Sequence, residues 1–194
     1  IMNGDSETGV TIIEMVKKMD AGDMFAQAKL PLTRADDTGT VFAKLSLLGR
    51  DLLLETLPKI IAGTATRTPQ DPDKVTFSPT ITKEQEHLNI HLPAKALDQW
   101  IRALRPDVGG YAYLNGQRTK LWAITPLSAG STLPAGSIVE RDKHRLVMVA
   151  GQQTTFQVDE LQPAGKAKQS IADFLNGPGQ QLVSGQQVIT DDPE

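Results

Sequence analysis

The sequence predicts two unlike pieces in one chain: an α/β segment first, then a small β-barrel of OB type with a helix in front of it. Three observations predict this. Two β-branched runs and one long helix-periodic stretch fill residues 8–57, a proline-rich stretch without periodicity follows, and five short strand-like runs then recur with turn residues between them.

The elements follow in order. Thr8 to Met15 is β-branched and partly alternating, and Phe25 to Leu32 returns as a second strand closed by Pro31. The connecting loop carries Asp20, Gly22 and Asp23, so the two runs read as strands joined by a tight acidic turn. Asp36, Asp37, Thr38 and Gly39 supply capping side chains before a helix from about Thr40 to Leu57. Val41, Leu45, Leu48 and Leu52 give that helix one apolar face, Pro58 bends or restarts it, and Gly63 ends it. Pro69, Pro72 and Pro79 mark Thr64 to Thr82 as a surface connection, with Val75-Thr76-Phe77 as a short edge strand within it.

A second unit begins near Lys83. Pro93 opens a helix with Leu97, Trp100, Ile101 and Leu104 on one stripe. Strands are predicted at Tyr111 to Leu114 and Thr119 to Ile124, joined by Asn115-Gly116, the strongest short hairpin signal a sequence offers. Three more follow at Ser137 to Glu140, Arg145 to Ala150 and Thr154 to Leu161, then a short helix capped by Ser170. This pattern reads as an OB-type barrel, with Trp100 and Trp122 in its core and a polar, loose tail from Ser184.

Composition narrows the chemistry. The chain has no cysteine, which excludes disulfides, thiolate metal sites and a cysteine nucleophile and fits a cytoplasmic location. Its three histidines show no metal-ligand spacing, so no metal is expected. No apolar run approaches the roughly 18 residues that a membrane-spanning helix needs, so no membrane partner is expected either. A net charge of −3 argues against a generally basic nucleic-acid coat. Between Lys95 and Lys168, however, ten Lys or Arg face six acids, enough for a basic patch if the fold gathers them.

Three strings carry a resemblance. ETGVTIIEMVKKMDAGDMF, from Glu7 to Phe25, resembles the stretch that closes the active site of folate-dependent formyltransferases. IRALRPDVGGYAYLNGQRTKLWAI, from Ile101 to Ile124, and LQPAGKAKQSIADFLNG, from Leu161 to Gly177, resemble the opening and closing of the C-terminal domain of methionyl-tRNA formyltransferases. On this resemblance residues 1–64 are the end of a Rossmann-like catalytic domain and 65–82 a linker. Residues 83–184 are then an OB-like tRNA-binding domain, and 185–194 a loose tail. The chain opens at Ile1 and enters a strand almost at once, so it reads as an incomplete piece, inactive alone. The family's asparagine, histidine and serine-leucine-leucine-proline loop are expected upstream of Ile1. Lys18-Met19 departs from the residue pair some relatives have before the aspartate.

The resemblance implies formyl transfer from 10-formyltetrahydrofolate to the amino group of initiator methionyl-tRNA by a monomer, with Asp20 as the catalytic residue. Without it, Asp20 reads as a turn residue whose carboxylate bonds nearby backbone N–H groups. Gly22 and Asp23 set the turn, while Met24 and Phe25 belong to the core. The phosphate-binding expectation falls on Arg102, Arg105, Arg118, Lys120, Lys143, Arg145, Lys166 and Lys168. The residues alone leave two rivals: an autonomous OB-type RNA-binding module and a sugar-nucleotide formyltransferase fragment. The closing string speaks against the second.

Overall fold

A computed structural model describes residues 1–190 and divides them into two compact units: 5–80, and the residues from Ile81 onward with Ile1–Gly4.

In the first unit, β1 (Glu7–Ile13) and β2 (Met24–Pro31) form an antiparallel hairpin, with Glu7 opposite Pro31 and a bulge between Ile12 and Ile13. The helix α1 (Thr38–Ile61) packs on it. Asp37 starts α1 by accepting the Thr40 N–H, while the Thr40 hydroxyl accepts from the Asp37 N–H, a reciprocal cap. Asp36 beside it is buried and takes Thr33 N and Oγ1 at 2.8 Å and the Lys44 ammonium. These donors hold its carboxyl at about 2, against an ordinary 3.8, with the Lys44 bond the largest cause and the Thr33 bonds next.

Two expectations change here. α1 does not restart at Pro58 but runs on to Ile61 before Gly63, at φ +70°, closes it. Val75-Thr76-Phe77 forms no strand; a single 3₁₀ turn at Pro72–Lys74 precedes it, and Val75 and Phe77 are exposed. The helix buries Val41 and half-buries Leu45, Leu48 and Leu52, as the spacing predicts. Phe42, Leu54 and Ile61 on its other sides face solvent.

The second unit is a curled antiparallel sheet, a half-barrel. Its strands are β3 (Gly110–Leu114), β4 (Gln117–Gly130), β5 (Ile138–Arg141), β6 (Leu146–Val149), β7 (Thr154–Pro163), β8 (Gln169–Ser170) and β9 (Ile189–Thr190). Their order is β5-β6-β7-β4-β3-β9, with β8 on β7. Asn115 and Gly116 both take positive φ, as a two-residue hairpin turn requires. Three register shifts between β4 and β7 let these two longest strands bend with the sheet. Leu97 and Ile101 of α2 (Ala94–Ala103), Phe156, Leu161 and Leu175 of α3 (Ile171–Leu175) are among the side chains that fill its concave side.

The end of the chain corrects the expected loose tail. Val188 O accepts from Asn115 N on the β3 side at 2.7 Å, while Gly185 N donates to Ile138 O and Ile138 N to Gln186 O, both at 2.8 Å. Residues 185–190 therefore hold two distant strands at once. Val188 and Ile189 are buried, and Gly136 is needed where a Cβ would come within 2.1 Å of Ile189 O. Residues 191–194 of that expected tail lie outside the described residues.

Candidate functional site

The hairpin loop between β1 and β2 is closed from within and strapped from without. Glu14 N donates to Asp23 O at 2.9 Å, and Gly22 lies so close to Glu14 that a Cβ there would stand 1.8 Å from its carbonyl oxygen. Asp20 adopts φ +52°, the left-handed region that aspartate enters more readily than most residues. Its carboxylate has no side-chain hydrogen bond or ion pair among the described residues, and the residue is exposed. Among the described residues, no neighbouring backbone N–H donates to that carboxylate as its turn reading predicts. Its own turn therefore does not consume it.

The strap comes from residues 67–70, inside the stretch the sequence reads as a linker. Thr68 and Met24 exchange two backbone hydrogen bonds, at 2.8 and 2.9 Å. The Arg67 guanidinium reaches Glu14 at 3.0 Å and lies 5.5 Å from the centre of the Phe25 ring, which is half-buried rather than core. Gln70 Nε2 donates to Asp20 O at 2.8 Å and to Gly22 O at 2.7 Å. Sequence reasoning missed these partners because nothing local signals them. Pro69 was the visible mark, and it reads equally well as loop.

The second candidate is the convex face of the β3–β4 hairpin. On β4, Thr119 and Leu121 are buried, so Arg118, Lys120 and Trp122 point outward. Trp122 is thus a surface residue and not core. Its ring covers Gly109, and its indole N–H donates to Gln162 Oε1 at 2.9 Å. Trp100, half-buried, borders the core and donates to Gln85 O at 2.8 Å. On β3, Tyr111 and Tyr113 stand opposite Lys120 and Arg118. His87 stacks on Tyr111 with centroids 5.0 Å apart, and the Arg118 guanidinium lies 3.9 Å from the Tyr111 centroid. The Lys120 and Lys168 ammonium groups flank Trp122 at 5.4 and 5.7 Å. Arg118, Lys120, Gln162 and Gly165 line a shallow open pocket of about 170 Å³, and exposed Lys166 follows directly in the chain.

The remaining basic residues are placed differently. Arg102 forms an ion pair with Asp98 at 3.0 Å, with the two side chains only 11% and 7% exposed. Arg105 donates to Trp122 O at 3.1 Å. Lys143 is exposed in the β5–β6 turn, and Arg145, beside it, contacts Glu140 and Gln157 at 3.1 Å. Among the described residues no cluster of three His, Asp or Glu could hold a metal ion, and no helix is long and apolar enough to cross a membrane.

The sequence profile of the formyl transferase C-terminal domain matches residues 80–179, and that of formyl transferase matches residues 1–57. The chain belongs to the formyl transferase family. It is 56% identical over 188 residues to a methionyl-tRNA formyltransferase of Levilactobacillus brevis, covering 97% of this chain and 60% of that one. It is 54% identical over 192 residues to the enzyme of the same name from Limosilactobacillus fermentum, covering 99% and 60%. The chain thus spans about 60% of the length of these relatives. In structure it is similar to HypX from Aquifex aeolicus, solved with tetrahydrofolic acid, at a TM-score of 0.66 and 18% identity, over 98% of this chain and 35% of that one.

Proposed function

We propose that this chain is the C-terminal part of a cytoplasmic methionyl-tRNA formyltransferase, which moves a formyl group from 10-formyltetrahydrofolate to the amino group of initiator methionyl-tRNA. The observation that carries the reading is the Asp20 carboxylate, presented from a left-handed turn and unused by the turn itself. The similarity to named relatives over nearly the whole chain supports the choice of substrate, and the tetrahydrofolic acid bound by HypX supports a folate donor.

The chemistry needs such an acid. A new C–N bond forms at the methionine amine, the donor's C–N10 bond breaks, and the proton lost by the amine ends on N10. The amine must be neutral to attack, and the oxyanion that develops needs donors aimed at it. Asp20 would hold a histidine partner in its charged form and pass the proton through a water molecule, and the asparagine and histidine that the family resemblance implies would donate to the oxyanion. Asp20→Asn in the gene's full-length product is expected to lower kcat by about 10²–10⁴ with an unchanged melting midpoint. A variant that keeps most of its activity refutes the role.

The second unit, read as an OB-type barrel, supplies the tRNA-binding surface. Its convex row of Tyr111, Arg118, Lys120, Trp122, Lys166 and Lys168 combines rings with cations, the pairing that suits a phosphate backbone with accessible bases. Lys143 and Arg145 extend the surface toward the β5–β6 turn. Arg102 is paired within α2 with Asp98, and Arg105 ties the loop after α2 to Trp122 of β4. The same row favours a second reading, an autonomous RNA-binding module. Tight, tRNA-specific binding by the second unit alone supports the module, and weak, strongly salt-dependent binding supports an auxiliary domain of the enzyme.

A further inference from the structure

The Asp20 loop has three external anchors, all within four consecutive residues. Arg67 holds Glu14 at one end of the loop, Thr68 pairs with Met24 at the other, and Gln70 takes the two carbonyls at the apex. Of these, the Gln70 contact bears most directly on Asp20. One Nε2 carries two hydrogens and meets two acceptors, Asp20 O at 2.8 Å and Gly22 O at 2.7 Å. Both carbonyls must therefore turn to one side, which fixes the Asp20–Ala21 and Gly22–Asp23 peptide planes. The first of these planes is joined directly to the Asp20 Cα, so holding it restrains the backbone of Asp20, which sits at φ +52° with no stabilising bond from its own side chain among the described residues.

We infer that Gln70 is a positioning residue for Asp20: its amide holds the loop backbone and so aims the carboxylate. The inference rests on the catalytic reading of Asp20 proposed above. It assigns Gln70 no contact with substrate. The chemistry also fixes which replacement is most informative. Glutamate has the same shape, yet it would set a carboxylate oxygen against two carbonyl oxygens and drive them apart. Methionine keeps the length and the packing but donates nothing.

The test uses the full-length gene product, with Asp20→Asn, Gln70→Glu, Gln70→Met and the double variant Asp20→Asn/Gln70→Glu. Gln70→Glu is expected to lower kcat by about 10–100-fold, with both KM values within about twofold of wild type. In the Asp20→Asn background Gln70→Glu should lower kcat no further, because the group it positions is already gone. A Gln70→Glu kcat within about twofold of wild type, beside an inactive Asp20→Asn, overturns the inference and leaves the catalytic reading standing. A loss that multiplies in the double variant also overturns it, since Gln70 would then act independently of Asp20. An active Asp20→Asn variant sinks the catalytic reading instead, which separates the two failures. Should Gln70→Glu fold poorly, the NMR signature of positive φ at Asp20 decides: its loss in Gln70→Met supports the inference, and its retention overturns it.

Discussion

Gly22→Ala tests the loop geometry most sharply, because the steric conflict is with backbone. A Cβ at residue 22 would stand 1.8 Å from Glu14 O, 2.8 Å from Glu14 C and 3.3 Å from Glu14 Cα. A comfortable carbon–oxygen separation is about 3.3 Å, so the methyl group overlaps the carbonyl by about 1.5 Å. No rotamer change relieves this, since Glu14 is itself pinned by its N–H to Asp23 O at 2.9 Å. The loop has to move by about that distance, which breaks the Glu14–Asp23 bond and the two Gln70 bonds at about 1 kcal/mol each, or about 3 kcal/mol together. At about 3 °C per kcal/mol for a chain of this size, the melting midpoint should fall by about 10 °C. A displacement of an ångström or more at Asp20 should lower kcat of the full-length product by about 100-fold at temperatures where the variant is still folded. Gly63→Ala is the control. Its backbone is left-handed, at φ +70°, which that of Gly22 is not, and it has no atom within 4 Å of its Cβ. It should cost about 1–2 kcal/mol and leave kcat alone. A Gly22→Ala protein with wild-type kcat and midpoint would refute this account of the loop.

Other outcomes follow from single features. The Asp36 carboxyl sits at about 2 in the folded chain against an ordinary 3.8, so its stabilisation is complete above 3.8 and drains as pH falls toward 2. Asp36→Asn should flatten the fall in melting midpoint across that window, and an unchanged slope would show that Lys44 and Thr33 do not stabilise the folded carboxylate. Arg102→Met removes the guanidinium from a nearly buried carboxylate and should destabilise the second unit by about 3–5 kcal/mol in chemical denaturation, leaving tRNA affinity of the folded protein unchanged. Lys166→Glu with Lys168→Glu should raise the KM for tRNA and lower the slope of log affinity against log salt by about 0.7–0.9 per lost phosphate contact. An unaltered slope would remove both lysines from the proposed surface.

What the sequence made legible was local. The Asn115-Gly116 turn, the Asp37 cap of α1, the Ser170 cap of α3 and the alternation along β3 each depend on residues within a few positions of one another, and each stands where the pattern put it. What it hid was non-local or lacked a pattern. Val188 and Ile189 are an isolated apolar pair among Gln, Ser and Gly, yet their backbone bonds Asn115, just after β3, and Gly136, just before β5. Trp122 is apolar in composition but faces out, because strand alternation and not residue type decides its side once Thr119 and Leu121 point inward. Asp20 shows the limit most clearly. Residue types alone say that an aspartate in a turn spends its oxygens on its own backbone. Here an amide 50 residues downstream holds that backbone, so the turn persists without the carboxylate. Among the described residues neither of its oxygens is bonded. A sequence motif records that the acid is present, whereas only the partners of the surrounding carbonyls reveal that it is available.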